Sequence, residues 1–497
     1  MVSSLLTSLY LSLLGLGLVF AGWEFFLLFQ HVRRAPPAQG DEESTGLASA
    51  EPLPFVTVQI PLFNERFSAA RVIEAVGALD YPNDRIEIQV LDDSTDETKG
   101  IVDLAVESVR RTGRRIVALR RADRRGYKAG ALSDGLSLAE GELIAIFDAD
   151  FVPQPGFLHA LIVARRAFAD PSVGFVQARW QHRNLEANVM TRAQAIMLDR
   201  FFLVANPVRQ ARALTIQFNG SGGIWRRRCI EDAGGWTSDT LTEDLDLSYR
   251  AALRGWRGRY VPELGVPCDL PPDLSAFKRQ QGRWARGSTQ CLVKLFPLLL
   301  HSPWSGGRIC VEIATVAGYH SQALVLAMAL FWPLFVFFVQ PPGLFVVTQV
   351  FLAPLAWAAP LAFFLAHRAR GKAPLGQQIK DVATAIGVSQ GLSIAVTAAI
   401  ARGYWAADAG EFERTPKGVP PGLRLDSYVV PRDWTVWAEG FAVFYCLGAF
   451  GLIAASGRLL WAFPMLLWAA SFALVWFQQS YDPAAEPEAA LAPSTSV

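Results

Sequence analysis

Apolar residues follow two different patterns along this chain. From Phe55 to Asp150 they come in short clusters separated by polar and helix-forming stretches. At the N-terminus and through the last two hundred residues they run on for lengths that suit a bilayer. In the first region Phe55-Val56-Thr57-Val58-Gln59-Ile60 predicts a strand ended by Pro61, and Ser68 to Leu79 predicts a helix. Ile86-Glu87-Ile88-Gln89-Val90-Leu91, Ile116 to Leu119 and Leu143 to Phe147 predict three more strands. Ser94-Thr95-Asp96-Glu97 has capping-box spacing for a helix running to about Arg111. Strands alternating with helices imply a mostly parallel α/β sheet. Ligands bind such sheets beyond the carboxyl ends of the strands, and Asp92, Asp93, Asp148 and Asp150 all fall at such ends.

The long apolar runs predict five membrane spans: Leu5–Phe29, Val311–Val339, Leu344–Ala366, Phe441–Ala455 and Leu459–Trp476. Nothing basic precedes the first run, and His31-Val32-Arg33-Arg34 follows it. That reads as an uncleaved anchor with its C-terminal end in the cytosol. Val382 to Ala401 is long enough to cross but rich in Ala, Ser, Thr and Gly, with basic loops on both sides. It is expected to lie along the cytosolic interface or to dip in without crossing. The resulting division is an anchor at 1–34, a linker at 35–54, a cytosolic α/β domain at 55–300 and a helix pair at 301–372. An interfacial helix and loop follow at 373–435, then a second helix pair at 436–480 and a disordered tail at 481–497.

Composition narrows the chemistry. With 46 Lys and Arg against 45 Asp and Glu, the chain has no basic excess for nucleic acid. Its 5 cysteines are far apart and form no CxxC pair, and its 6 histidines form no HExxH. Neither a disulfide framework nor a zinc site is indicated.

Two carboxylates at a strand end, Asp148 and Asp150, suit Mg²⁺ or Mn²⁺, which take one or two carboxylates plus substrate phosphates. Thr242-Glu243-Asp244 sets a carboxylate beside a helical run, where it could deprotonate a hydroxyl; a helix cap is the plainer reading. Gln280-Gln281-Gly282-Arg283-Trp284 puts an amide, a guanidinium and an indole within one turn. The guanidinium suits a diphosphate and the indole suits a sugar face. Arg124 to Leu132 is basic and Gly-punctuated, and either carries Lys128 to a nucleotide or is a solvated charge run. Phe218-Asn219-Gly220 is either a close approach to a ligand or an ordinary turn. Glu24, Glu312, His320 and Glu439, in or near the spans, could line a polar path through the membrane; those near span ends could equally be snorkelling or interfacial.

Asp92-Asp93, Asp148-Ala149-Asp150, Thr242-Glu243-Asp244 and Gln280-x-x-Arg283-Trp284, in this order, resemble the D, DxD, TED, QxxRW signature of processive family 2 glycosyltransferases. Gln89 to Asp96, Val176-Gln177-Ala178-Arg179-Trp180 and Phe218-Asn219-Gly220 are similar to the β-mannan-synthase-like branch. Phe412-Glu413-Arg414-Thr415-Pro416-Lys417 resembles the gating loop of cellulose synthases, with Arg414 where Val is usual. The resemblance implies a GT-A-type α/β domain inserted between transmembrane helices. Asp244 would be the catalytic base, with Asp93 beside it in the catalytic set. Asp92, Asp93, Lys128, Asp148, Asp150, Gln280, Arg283, Thr415 and Lys417 would bind the donor. Asp150 and Asp148 would hold Mg²⁺ or Mn²⁺, and Trp284, Asn219 and Glu243 would meet the acceptor. The implied partners are a nucleotide sugar such as UDP-glucose or GDP-mannose, a growing glycan or lipid acceptor, and membrane lipids. The activity implied is polymerisation of a β-glycan at the cytosolic face of the plasma membrane, followed by translocation. Two rivals are a single transfer to lipid, as in ceramide glucosyltransferase, and a nucleotide-binding transporter or scaffold. The intact TED and QxxRW argue against the last.

Overall fold

The computed structural model describes residues 2–33, 53–352, 357–371, 373–405, 410, 414–415, 417–418 and 432–480. Most of the linker, the tail and much of the gating-like segment lie outside the described residues.

A seven-stranded sheet organises the soluble region: β1 (Val56–Leu62), β2 (Ile86–Asp92), β3 (Ile116–Leu119), β4 (Leu143–Ile146), β5 (Val173–His182), β6 (Gly223–Arg226) and β7 (Arg257–Cys268). Its order is β3-β2-β1-β4-β6-β5-β7. The first four strands run parallel, with Leu62 registered on Asp92 and Gln59 on Ile146. β1 and β4 are buried almost throughout because helices cover both faces, so their sequences read as continuous runs rather than alternation. Val58, Ile60, Val72 and Val106 pack on one face of the sheet; Ile144, Phe218, Trp225 and Leu247 pack on the other.

β6 is antiparallel to both β4 and β5. That reversal decides where the site forms. Residues preceding β6 lie beside residues following β4: Gly222 N–H donates to Ile146 O at 2.9 Å, and Asp148 N–H donates to the Ser221 hydroxyl at 2.9 Å. Asn219-Gly220 and Asp148-Ala149-Asp150 therefore share one edge of the sheet.

The expected capping box at Ser94 does not form. The Ser94 hydroxyl accepts from Asn64 N–H at 2.9 Å; the helix Thr98–Arg110 starts after Glu97 with no side-chain cap there, and Asp96, one residue earlier, accepts from Thr98 N–H at 2.9 Å.

Among the described residues, four helices are long and apolar enough to cross a membrane: Val2–Arg33, His320–Phe338, Thr435–Ala455 and Leu459–Gln479. The run expected as one span from Val311 to Val339 is broken. Helix Gly306–Val316 ends at Ala317-Gly318-Tyr319, and His320–Phe338 begins after it. The expected span Leu344–Ala366 falls on two shorter helices, Pro342–Leu352 and Ala358–Arg370. Val382–Ala401 falls on the helices Leu375–Gly391 and Ser393–Trp405, bent by 44°. A pair bent in this way is a broken span or a re-entrant loop.

Candidate active site

Two helices bring the remaining motifs to the sheet edge. Glu243–Leu253 follows Thr242, and its buried Leu247 and Tyr249 fix its orientation. Leu274–Leu300 is capped by Asp273, whose carboxylate accepts from Ala276 N–H at 2.7 Å, and carries Gln280, Arg283 and Trp284. Gly287, one turn beyond Arg283, lets this helix lie against Thr242. A Cβ at Gly287 would sit 2.7 Å from Thr242 Cγ2. The Thr242 hydroxyl in turn meets Cys291 Sγ at 3.3 Å.

One cavity of about 800 Å³ collects these groups. Asp93, Lys128, Asp148, Asp150, Asn219, Glu243, Asp244, Gln280, Arg283, Trp284, Thr415 and Lys417 all line it. Asp92 does not: it is buried at the end of β2, held by Arg120 Nε at 2.8 Å and Ser94 N–H at 3.1 Å. Asp93 accepts two hydrogen bonds from Arg121, one from Nε at 3.0 Å, and Arg121 also donates to the backbone oxygens of Arg125 and Tyr127. Asp93 thus organises the loop leading to Lys128.

Lys128 is the hub. Its ammonium lies 2.6 Å from Asp148 Oδ1 and 3.6 Å from Glu243 Oε1, and donates to Gly220 O at 3.0 Å. Burial works against its charge, but the carboxylates of Asp148, Glu243 and Asp244 outweigh that and raise its pKa. The strand-end pair, the TED turn and the Asn219-Gly220 turn are tied together through one cation. Gly220 is left-handed, with φ +76°, and a Cβ there would lie 3.1 Å from Asp244 Oδ2.

Asp244 stands in the first turn of its helix and accepts from Leu245 N–H at 2.8 Å. Burial, then the Glu243 charge, raise its pKa to about 7, against the pull of Lys128. A carboxylate poised there can take a proton near neutrality. Burial lowers the pKa of Arg283, while Glu243, Asp244 and Asp148 oppose that shift.

On the other side of the strand-end pair, Lys417 Nζ meets Asp150 Oδ2 at 2.8 Å. Glu65, three residues beyond β1, lies 3.8 Å from Arg414. Burial raises the pKa of Glu65 to about 8; the Arg414 charge opposes this and Asp150 adds to it. Lys128 takes Asp148 Oδ1 and Lys417 takes Asp150 Oδ2, and the other oxygen of each carboxylate is the one a cation would use. Among the described residues no three His, Cys, Asp or Glu side chains converge on one metal position. The protein would supply the two carboxylates and a bound donor the remaining oxygens, a division usual for Mg²⁺ and Mn²⁺.

The cavity continues between the long helices, where Trp23, Glu24, Ser321, Gln322, Ser389 and Gln390 line it. Of the four ionisable residues flagged near the spans, only Glu24 lines this hollow, accepting from Arg200 Nε at 3.1 Å. Glu312 is instead a brace behind the TED helix, accepting from Arg209 at 2.7 Å, Tyr249 OH at 2.9 Å and Thr215 N–H at 2.8 Å. Glu439 pairs with Lys278 at 2.8 Å, and His320 bonds to Tyr404 OH at 2.8 Å.

Sequence reasoning missed three lining residues: Glu65, Trp180 as a site residue, and Tyr319, whose OH donates to Gln281 Oε1 at 3.0 Å. For Glu65 a signal existed, since an acid just beyond β1 is at the same sheet edge as Asp92.

Comparison with known proteins places this geometry. Residues 53–287 match the family described as glycosyltransferase like family 2. Glucomannan 4-beta-mannosyltransferase 1 of Oryza sativa subsp. japonica is 40% identical over 266 residues, 53% of this chain and 50% of its own. Glucomannan 4-beta-mannosyltransferase 2 of Arabidopsis thaliana is 42% identical over 263 residues, 52% of this chain and 48% of its own. The chain spans about half the length of these relatives. A mannosyltransferase from Pyrobaculum calidifontis, solved with GDP-Man and Mn²⁺, superposes with TM-score 0.50 at 21% identity. It covers 82% of this chain and 100% of its own, a likeness of fold. Residues 53–287 are thus similar to glycosyltransferase-like family 2, and their α/β fold is of GT-A type.

Proposed function

We propose that this protein is a membrane-embedded, inverting hexosyltransferase that elongates a β-linked glycan from a nucleotide sugar at the cytosolic face and passes the product between its own helices. The carrying observation is the single cavity that holds Asp148, Asp150, Asp244, Arg283 and Trp284 and continues past Glu24 and Gln322. The names of the relatives make a mannan-type product, with GDP-mannose as donor, the first to test, and UDP-glucose the comparison.

In the reaction, Asp244 takes the proton of the acceptor hydroxyl. The acceptor oxygen bonds to the anomeric carbon from the side opposite the diphosphate, whose C–O bond breaks with inversion. Arg283 receives the charge of the departing diphosphate. Lys128, paired with Asp148 and close to Glu243, offsets part of the burial and Glu243 charge that push Asp244 toward protonation. Gln280 contributes an amide to the donor, and Trp284 a flat face to the acceptor sugar. Thr415 and Lys417 close the donor end. Asp150 and Asp148 would hold Mg²⁺ or Mn²⁺, which when bound supplies Lewis-acid stabilisation of the leaving phosphate.

The test is purified full-length protein with radiolabelled GDP-mannose or UDP-glucose and linkage analysis of the product. Asp244→Asn should abolish incorporation. A single sugar on extracted lipid, with no polymer, would sink the elongation reading in favour of lipid transfer.

A further inference from the structure

Trp180 is not explained by the chemistry above. It stands near the end of β5, half-buried, and lines the same cavity as Trp284. Its indole N–H donates to Ser221 O at 3.2 Å, which ties it to the turn that also positions Asp148. The edge of Phe151 packs on it at 5.3 Å and 74°, and Phe202 supports it at 5.3 Å and 38°. Trp180 and Trp284 are 6.4 Å apart and inclined at 52°. They are too far apart and too tilted to be a stacked pair, and instead form two neighbouring platforms on different elements.

The surrounding polar groups say what those platforms suit. Asn219 Oδ1 and Gln280 Oε1 are buried and accept no hydrogen bond from any described residue, and both side chains line the cavity. Gln280 is only 4% exposed. A buried acceptor without a donor is costly unless a ligand supplies one. Flat apolar faces beside lone-pair acceptors match a sugar, with C–H bonds on its faces and hydroxyls around its rim. A lipid tail would leave both oxygens unpaired. Direction also follows. Behind Trp180, Phe202 packs on Phe201 at 5.3 Å, and the adjacent Arg200 reaches Glu24 of the N-terminal helix. Contacts thus run from Phe151, next to the strand-end pair, through Trp180 and Phe202 toward Arg200 and Glu24.

We infer that Trp180 forms a second acceptor subsite, holding the penultimate sugar of the glycan while Trp284 holds the terminal one. This rests on the elongation reading above and adds that the site measures acceptor length. Trp180 is a binding residue in this account and takes no part in bond making.

The experiment uses purified full-length protein with GDP-mannose, or UDP-glucose if that is the donor turned over, and a series of free β-linked oligosaccharide acceptors. Wild type should show a KM drop of about tenfold between monosaccharide and disaccharide, the size of one good aromatic contact. Trp180→Leu should erase that drop, raising the disaccharide KM about tenfold while the monosaccharide KM stays within about twofold. Trp180→Phe, which keeps a ring, should restore most of it. A wild-type KM that does not depend on acceptor length overturns the subsite. So does loss of kcat and donor hydrolysis in step with KM in both variants, which marks Trp180 as a structural support only. Absence of transfer to any glycan by wild type overturns the elongation reading itself, a different failure from a length-independent KM.

Discussion

Asp244 carries the most exposed chemical claim, because its pKa of about 7 arises from opposed neighbours. The working form is ionised, so kcat/KM should climb as pH rises through about 7 and fall tenfold per unit well below it. A profile flat from pH 5 to 8 would remove Asp244 as the base. Gly220 makes a second claim. Its φ of +76° strains any side chain, and a methyl group there would sit 3.1 Å from Asp244 Oδ2 and 3.2 Å from Lys128 Nζ, pushing both aside. Gly220→Ala should lower stability by about 1–2 kcal/mol and lower kcat more than KM, measured by thermal melting beside transfer kinetics. The acidic motifs were legible in the sequence because strand patterning placed them at strand ends. Lys128 was not separable from its neighbours: Arg120, Arg121, Arg124 and Arg125 make the stretch read as a solvated charge run, and only the fold turns Lys128 onto Asp148 and Arg121 onto Asp93. Glu312 was misread for the opposite reason. An acid next to an apolar run suggests a polar path, whereas here it meets Arg209 and Tyr249 in the interior.

At the scale of elements, the QxxRW helix is fastened at both ends of its active turn. Gly287 admits Thr242 on one side, and Lys278 on the other bonds Glu439 at 2.8 Å and Gln479 Oε1 at 3.0 Å, all three buried. Lys278→Met leaves the Glu439 carboxylate without its cation and should cost about 3–5 kcal/mol. The double change Lys278→Met with Glu439→Leu should recover much of that loss, since an apolar pair can replace a buried ion pair. Denaturation of the two variants in the same detergent decides it, and equal losses would refute the pairing. β6 and the break at Ala317-Gly318-Tyr319 escaped sequence reading for related reasons. Gly223 to Arg226 is too short for alternation to register, and Ala-Gly-Tyr is apolar enough to leave a hydrophobic run looking continuous. The parallel strands were legible because burial on both faces makes their apolar runs dense.

Across the whole molecule, the soluble domain and the long helices share one hollow rather than meeting at a closed wall. Asp148 and Asp150, facing that hollow, are each matched by a lysine and supply fewer ligands than an ion needs. Stripping divalent ions with a chelator should therefore abolish transfer while leaving the melting temperature almost unchanged, and added Mn²⁺ or Mg²⁺ should restore turnover. A large loss of stability on chelation would mean that an ion holds the fold.

That common hollow has a mechanical corollary. In the proposed reaction the point of bond formation is fixed against the sheet edge, so a polymer lengthened there must slide by one unit before the next addition. Obstructing the outlet would then idle the enzyme from a distance: a bulky group anchored beside Glu24 would slow donor consumption although every motif at the sheet edge stayed intact.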